Sequence, residues 1–200
     1  MRVCTVPVSA ETVARGSRFL AEAFPVETQE GARAALREQK AKYADATHVV
    51  HAFVIGPAAG ILGCSDDGEP SGTAGRPVLE VLKGSCLTNV MVTVTRWFGG
   101  TLLGTGGLVK AYTEAARSAV ELALARSHEL VETLDFAVAV PYDAYERVRR
   151  EIDSAGATVS GETFAEDVEV RGVVSRSGAD SLSARVTDLT QGRSAVRLSR

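Results

Sequence analysis

The sequence predicts an α+β chain of two domains, residues 1–128 and residues 129–200. Apolar runs of strand length and amphipathic runs of helix length occur in both halves. In the second half they follow the order βαββαβ, which is the split βαβ arrangement. The length of 200 residues is also enough for two small domains that each bury a core.

The elements of the first half follow from side-chain patterning. Residues 89–95 (NVMVTVT) form a β-branched run that suits a buried strand, and apolar side chains recur at helical spacing from Leu108 onward. Pro77 is tolerated only in the first turn of a helix, so a short helix is predicted to start there and to end at Gly84. The predicted strands are 3–7, 17–25, 47–56, 58–64 and 88–98, and the predicted helices are 28–43, 77–83 and 107–126.

The elements of the second half are equally distinct. Three apolar segments, TLDFAVAV, ATVSGETF and VEVRGVVS, predict strands, and a final short strand is predicted at 194–198. The predicted helices are 142–154 and 180–191. The connection at 127–132 contains neither Pro nor Gly, which predicts a short, stiff linker.

Composition limits the function classes. The net charge of −3, most of it in residues 129–200, excludes a general polyanion binder, so any contact with RNA must use a local patch. Three cysteines without a CxxC motif argue against a disulfide framework and predict a reducing cytoplasm. No apolar run approaches the roughly 20 residues of a membrane helix, and the N-terminus lacks a signal-peptide core, so no membrane contact is predicted.

The segment TRWFGGTLLGTGGLVKAY (95–112) joins a predicted strand to a predicted helix through a glycine-rich loop. At such a junction, unpaired backbone N–H groups and the positive end of the helix dipole can bind an anion. Alternatively, the glycines only supply positive φ in a tight connection, with Thr105 as the helix N-cap. The predicted anion-binding or nucleic-acid-binding residues of this segment are Arg96, Trp97, Gly99, Gly100, Thr101, Gly104, Thr105, Gly106, Gly107 and Lys110.

A second glycine-rich turn, SDDGEPSGTAGRP (65–77), also leads into a helix. No favoured capping residue stands at 74–76, so the first N–H groups need Thr73, Ser71, water or a ligand as partner. Thr73 and Arg76 therefore join the predicted anion-binding residues. Asp66, Asp67 and Glu69 form an acidic group in the same turn.

The acidic group has three interpretations. It can be a hard-cation site or general base, an ordinary acidic turn, or a set of carboxylates that orient Arg76, Arg96 or Lys110. The spacing DDGE matches no calcium loop, which favours the ordinary turn over a metal site.

Other polar residues predict little chemistry. His48 and His51 lie three apart in a predicted strand, so they point to opposite faces and do not share a metal, although His48 can face the cleft of the glycine loops. The basic residues of helix 28–43 form a second candidate surface, with a solvated helix face as the alternative. No nucleophile elbow is present. We predict no catalytic residue, no metal and no cofactor.

Two long segments, SDDGEPSGTAGRPVLEVL and NVMVTVTRWFGGTLLGTGGLVKAY, resemble the signature of the IMPACT family, which has bacterial YigZ-like members and a eukaryotic translational regulator. GSRF (16–19) and ATHVVHAFVIG (46–56) are similar to weaker family motifs, so the resemblance spans most of residues 15–115. The chain departs from the family pattern at Tyr43, Trp97 and Leu102, where members usually carry His, Tyr and Lys.

The resemblance implies a fold and a function. It implies a domain similar to the second domain of ribosomal protein S5, followed by a ferredoxin-like domain, a pair similar to the last two domains of elongation factor G. It further implies a non-enzymatic translation-associated regulator that binds RNA, the ribosome or a protein partner of the translation machinery through the glycine-rich surface.

Two alternatives remain at this point. The S5-like fold is shared with small-molecule kinases, which implies a protein that binds a small phosphorylated ligand, or an Mg²⁺-dependent enzyme using the acidic group. Against that alternative, the GLGSS-type loop of those kinases is absent from the sequence. A pure protein-interaction scaffold is the third interpretation.

Overall fold

Antiparallel sheets and helices build both halves of the chain in the computed structural model, which describes residues 1–199. The chain divides into two units, Met1–Leu130 and Val131–Arg200, and each contains its own buried apolar cluster. The predicted α+β class is confirmed. Within residues 1–199, no helix is both long and apolar enough to cross a membrane.

The first unit is built on a five-stranded sheet. The strands of the whole unit are β1 (Arg2–Cys4), β2 (Val8–Ala14), β3 (Ser17–Pro25), β4 (His48–Ile55), β5 (Ile61–Ser65), β6 (Val90–Trp97) and β7 (Ser127–Glu129). Its helices are α1 (Gln29–Lys42), α2 (Gly75–Lys83) and α3 (Gly104–Ala125). The sheet order is β2-β3-β6-β4-β5 with every neighbour antiparallel, while β1 and β7 pair separately.

Strand alternation sends apolar side chains to both faces of this sheet. On one face, Val50 and Val92 pack with α2 and α3, including the fully buried Leu82. On the other face, Ile55 and Met91 pack with α1. Because β6 is central and covered on both sides, all its residues from Val90 to Arg96 are buried, as its β-branched sequence predicts.

Some predicted boundaries are wrong. β2 was not predicted, because this edge strand buries only Val8, and its other valine, Val13, is exposed. β7 was not predicted either, because only its first residue is partly buried. α3 begins at Gly104 rather than at residue 107. Its first turn is glycine-rich, with low helix propensity and no apolar periodicity, so the sequence pattern did not reveal it. α2 begins at Gly75, which places Pro77 within its first turn.

The second unit is a four-stranded antiparallel sheet with two helices. Its elements are β8 (Thr133–Val140), α4 (Tyr142–Ser154), β9 (Thr158–Phe164), β10 (Val168–Ser175), α5 (Arg176–Leu189) and β11 (Arg197–Ser199). The strand order is β11-β8-β10-β9. α5 begins four residues before the predicted start, because the Ser175 hydroxyl accepts a hydrogen bond from the Gly178 N–H at 3.1 Å and caps the helix.

Candidate anion-binding site

A pocket of about 480 Å³ lies where β4 begins, β6 ends and α3 starts. His48 and Arg96 are register partners across β4 and β6, so the sheet itself places both side chains here. The turn before α2 contributes Glu69, and the loop after β6 contributes Phe98. The two glycine-rich segments, which begin 30 residues apart in the sequence, therefore contribute to one pocket.

A buried ion pair forms the wall of this pocket. The Arg96 Nη1 donates to Glu69 Oε1 at 2.6 Å, and the Tyr112 hydroxyl donates to the same oxygen at 2.7 Å. Arg96 and Glu69 are only 5% and 8% exposed. Burial and the hydrogen bond to Glu69 both raise the pKa of Tyr112, so the phenol stays a donor.

Two atoms of the ion pair retain bonding capacity. Arg96 Nε is buried without a hydrogen-bond partner within residues 1–199. In the same part of the chain, both hydrogen bonds received by the Glu69 carboxylate go to Oε1, which leaves Oε2 free. Of the two, Glu69 Oε2 is the atom that a ligand in the pocket can bond, because Arg96 Nε has almost no accessible surface.

The N-terminus of α3 opens into the same pocket. Leu103 occupies the cap position and makes no side-chain hydrogen bond, so the prediction of Thr105 as the N-cap is wrong. Thr105 lies inside the first turn because the helix starts earlier than its apolar pattern. The N–H groups of Gly104, Thr105 and Gly106 have no acceptor among residues 1–199. These donors and the positive helix end suit an anion.

Gly106 has no structural reason to be glycine. Its φ is not positive, and a Cβ built there would meet no atom within 4 Å. Gly104 has a φ of +73°, so the fold itself requires a residue that tolerates the left-handed region. A ligand that approaches the backbone closely would explain the glycine at 106.

The carboxylate of Asp66 caps α2. It accepts hydrogen bonds from the N–H groups of Gly72 at 2.9 Å, Ala74 at 3.1 Å and Gly75 at 2.8 Å. Partial burial acts to raise the pKa of Asp66, but these hydrogen bonds outweigh it and lower the pKa overall. The expected partner of these N–H groups, Thr73, instead donates its hydroxyl to the Pro70 carbonyl at 2.6 Å.

The other acidic side chains of this turn are also engaged. Asp67 pairs with Lys40 and accepts the Val49 N–H at 2.7 Å, while Glu69 holds Arg96. Among residues 1–199, no three His, Cys, Asp or Glu side chains are placed to hold a metal ion. Of the three cations that the carboxylates were expected to orient, only Arg96 contacts one of them.

Lys110 and Arg76 lie away from the pocket. Lys110 projects from the exposed side of α3 into a separate concavity shared with Glu114 and Arg117. The Arg76 side chain is 69% exposed and pairs with Glu80 at 3.0 Å. Helical periodicity explains why Lys110 misses the pocket, because it is not on the face of α3 that carries Thr105 and Leu108.

Several predicted loop residues have local roles or lie outside the pocket. The Trp97 ring lies under the Arg18 guanidinium at 3.7 Å, and its indole N–H donates to Asp45 at 2.9 Å. Gly99 packs so closely on Gly16 that a Cβ would lie 2.0 Å from the Gly16 carbonyl. The residues that do not line the pocket are Thr73, Arg76, Trp97, Gly99, Gly100, Thr101, Gly106, Gly107 and Lys110.

Sequence patterning missed two residues at the pocket. Phe98 is 46% exposed and lines the pocket from the loop that follows β6. Arg15 lies at the rim, where its Nη1 donates to the Leu102 carbonyl at 3.3 Å. Arg15 belongs to the two-residue turn between β2 and β3, which the sequence signals only through Gly16.

The two strand histidines have different surroundings. His48 faces the pocket, with Nδ1 2.7 Å from the Asp67 carbonyl oxygen and Nε2 3.9 Å from Glu69 Oε1. His51 stacks on Phe53 with ring centroids 6.4 Å apart, and burial lowers its pKa. His48 alone is available to a ligand in this pocket.

Known proteins resemble both parts of the chain. Residues 15–120 match the Impact N-terminal domain, and residues 138–193 match a domain of unknown function, DUF1949. The IMPACT family member YvyE of Bacillus subtilis is 32% identical over 94% of this chain and 85% of its own length. A Haemophilus influenzae IMPACT family member is 34% identical over 96% and 95%. A crystal structure of a hypothetical protein superimposes with a TM-score of 0.64 at 28% identity, covering 98% of this chain and 95% of that one.

Proposed function

Because this chain belongs to the IMPACT family, we propose that it is a translation-associated, non-enzymatic regulator that binds RNA, free or in the ribosome, by holding backbone phosphate in the pocket at the start of α3. One observation carries the proposal. The Arg96 side chain and the free N–H groups of Gly104 and Thr105 meet at one pocket. Fixed cationic and backbone donors are what a phosphate group requires.

The surroundings of the pocket support an extended ligand. Phe98 offers a half-exposed ring on which a base can stack. Arg15 adds a positive charge at the rim. Because the chain as a whole is slightly acidic, such a local patch is the only means by which this surface attracts RNA.

The finer fold assignment is part of the same proposal. The five-stranded antiparallel sheet with α2 and α3 on one face supports a domain similar to the second domain of ribosomal protein S5. The strand order β11-β8-β10-β9 with two helices supports a ferredoxin-like second domain. We further propose a cytoplasmic location, residues 1–128 and 129–200 as the functional domains, and a protein partner of the translation machinery as a second ligand.

Co-sedimentation with ribosomes across a salt series tests the proposal. Arg15→Asn keeps the left-handed backbone, since Asn tolerates it, and should lower the slope of log affinity against log salt by about one. Gly106 is not a lining residue but directly follows one, Thr105, so a methyl group at 106 should crowd a phosphate bound at this turn and weaken binding about tenfold. Lys110→Ala is the matched control outside the pocket and should change neither quantity. Absence of binding at low salt would contradict the proposal.

A small phosphorylated ligand is a second candidate, favoured by the size of the pocket. A volume of about 480 Å³ lies within the range of small-molecule sites, roughly 300 to 1,000 Å³. A ligand at 100 times its Kd should stabilise the fold by about 2.7 kcal/mol. Thermal unfolding with inorganic phosphate and a nucleotide panel would therefore detect it. The Mg²⁺-dependent version loses support because all three carboxylates of the acidic turn already bind protein groups.

A further inference from the structure

The pocket has a donor side and an acceptor side. The donor side is the start of α3, where Gly104 and Thr105 line the pocket with unpaired N–H groups. The acceptor side is the beginning of β4 together with the turn before α2, where His48 and Glu69 line the pocket. A phosphate group satisfies only the donor side, because it has no proton to donate when fully ionised.

The bonding of His48 fixes which ring nitrogen faces the pocket as an acceptor. Its Nδ1 lies 2.7 Å from the carbonyl oxygen of Asp67, and a carbonyl oxygen can only accept a hydrogen bond. The proton of the neutral imidazole is therefore on Nδ1, and Nε2 carries the lone pair. The nearest partner of Nε2 is Glu69 Oε1 at 3.9 Å, which is beyond hydrogen-bond distance.

Glu69 adds a second acceptor. Its side chain is 3% exposed, and both of its donors, Arg96 and Tyr112, bond to Oε1. Its Oε2 has no donor among residues 1–199. This oxygen belongs to a buried side chain, has no protein donor and lies beside a histidine lone pair, so it can accept a hydrogen bond from a ligand in the pocket.

The charge balance favours a neutral donor over an ammonium group. Glu69 already compensates Arg96 at 2.6 Å, so this pair supplies no excess negative charge to hold a cation. A hydroxyl group supplies the missing proton without adding charge. The donor side then takes the anionic part of the same ligand.

We propose that this pocket selects a phosphate that carries a neighbouring hydroxyl, as in a ribonucleotide, with His48 Nε2 accepting the single proton of the 2′-hydroxyl and Glu69 Oε2 as the second acceptor beside it. The proposal rests on the proposed function and specifies its ligand as RNA rather than DNA, since the 2′-hydroxyl distinguishes the two. A free ribonucleotide presents the same chemistry as an RNA chain. His48 is the specificity-determining residue that can be changed without disturbing the ion pair.

Fluorescence anisotropy at about pH 8, where an ordinary imidazole is neutral, tests the inference on the full chain. Three oligonucleotides of one base sequence serve as probes: an oligoribonucleotide and its 2′-deoxy and 2′-O-methyl counterparts. A ribonucleoside monophosphate and its deoxy form, which share one base, serve as competitors. The ribose probes should bind about tenfold tighter than the deoxy and methylated ones, which is the difference expected for one hydrogen bond. Preference in the monophosphate pair identifies a single ribonucleotide as sufficient, whereas preference only in the oligonucleotides identifies the RNA chain.

Two variants assign the preference to its residue. His48→Asn keeps an N–H donor near the position of Nδ1 for the Asp67 carbonyl and removes Nε2, so the ribose preference should fall to about one while deoxy affinity is unchanged. His128→Asn, the same substitution at an exposed position of β7, should leave the preference intact. Should His48→Asn fail to fold, the comparison of 2′-hydroxyl, 2′-hydrogen and 2′-O-methyl probes on the unchanged protein still decides.

Equal binding of ribose and deoxy probes would overturn this inference and leave the proposed function standing. Absence of binding to every probe and to ribosomes would overturn both. A ribose preference that persists in His48→Asn would overturn the assignment to His48.

Discussion

Arg96 and Glu69 form an ion pair, Nη1 to Oε1 at 2.6 Å, between side chains that are 6% and 3% exposed. Arg96 comes from the central strand β6, and Glu69 comes from the turn before α2. The pair thus joins the sheet to the second glycine-rich turn and fixes the wall of the pocket. Each charge depends on the other, because a lone buried charge is costly.

Glu69→Ala should lower the free energy of unfolding of the first unit by about 3 to 5 kcal/mol, because it leaves the Arg96 charge buried without a partner. Trp97 is the only tryptophan, so urea unfolding followed by its fluorescence reports on this unit. The double variant Glu69→Leu/Arg96→Met should recover most of the loss. A double variant no more stable than Glu69→Ala would contradict the ion-pair explanation.

Tyr112→Phe should cost about 1.5 to 3 kcal/mol, the range for a hydrogen bond to a charged group, because its hydroxyl donates to the Glu69 carboxylate at 2.7 Å. The same fluorescence measurement applies. In a Glu69→Gln background the substitution should cost much less, since the charged acceptor is gone. Equal costs in the two backgrounds would assign the loss to packing of the ring against Phe19, which lies edge-on with centroids 5.2 Å apart.

The strands and helices that pack the core could be predicted because their side chains show the required period. β6 and α3 are examples, since both carry long apolar patterns. β2 could not be predicted in this way, because an edge strand with one buried residue has no apolar pattern. Its only signal is the Arg15–Gly16 turn, in which both residues have positive φ.

The two glycine-rich segments also marked the site, but the contacts within it could not be predicted. The Asp66 carboxylate reaches the N–H groups of α2 from nine residues away, and Glu69 reaches Arg96 across 27. Local sequence rules cover caps within three or four residues, so they miss both contacts. Lys110 is a cation within the glycine-rich segment, but its position along α3 points its side chain into a different concavity.

Asp66→Asn should lower the free energy of unfolding at neutral pH by about 1 kcal/mol, because a charged cap on α2 is lost. The folded-state pKa of Asp66 lies below its ordinary value. Its stabilisation is therefore complete above the unfolded pKa of about 3.9 and disappears as pH falls through the folded pKa. The difference between wild type and Asp66→Asn, measured by urea unfolding from pH 7 downward, should shrink toward zero in acid. A difference that is constant with pH would contradict the cap assignment.

Gly99→Ala and Gly106→Ala should separate structure from binding within one loop. At 99 a Cβ would lie 2.0 Å from the Gly16 carbonyl, so the loop must shift, and the free energy of unfolding should fall by several kcal/mol. At 106 the space is open and the backbone is helical, so alanine should raise stability by up to about 1 kcal/mol. The same Gly106→Ala protein should bind RNA about tenfold more weakly by anisotropy. A variant that is more stable yet binds RNA less tightly cannot have lost its binding through unfolding. Unchanged binding in Gly106→Ala would mean that no ligand approaches the start of α3.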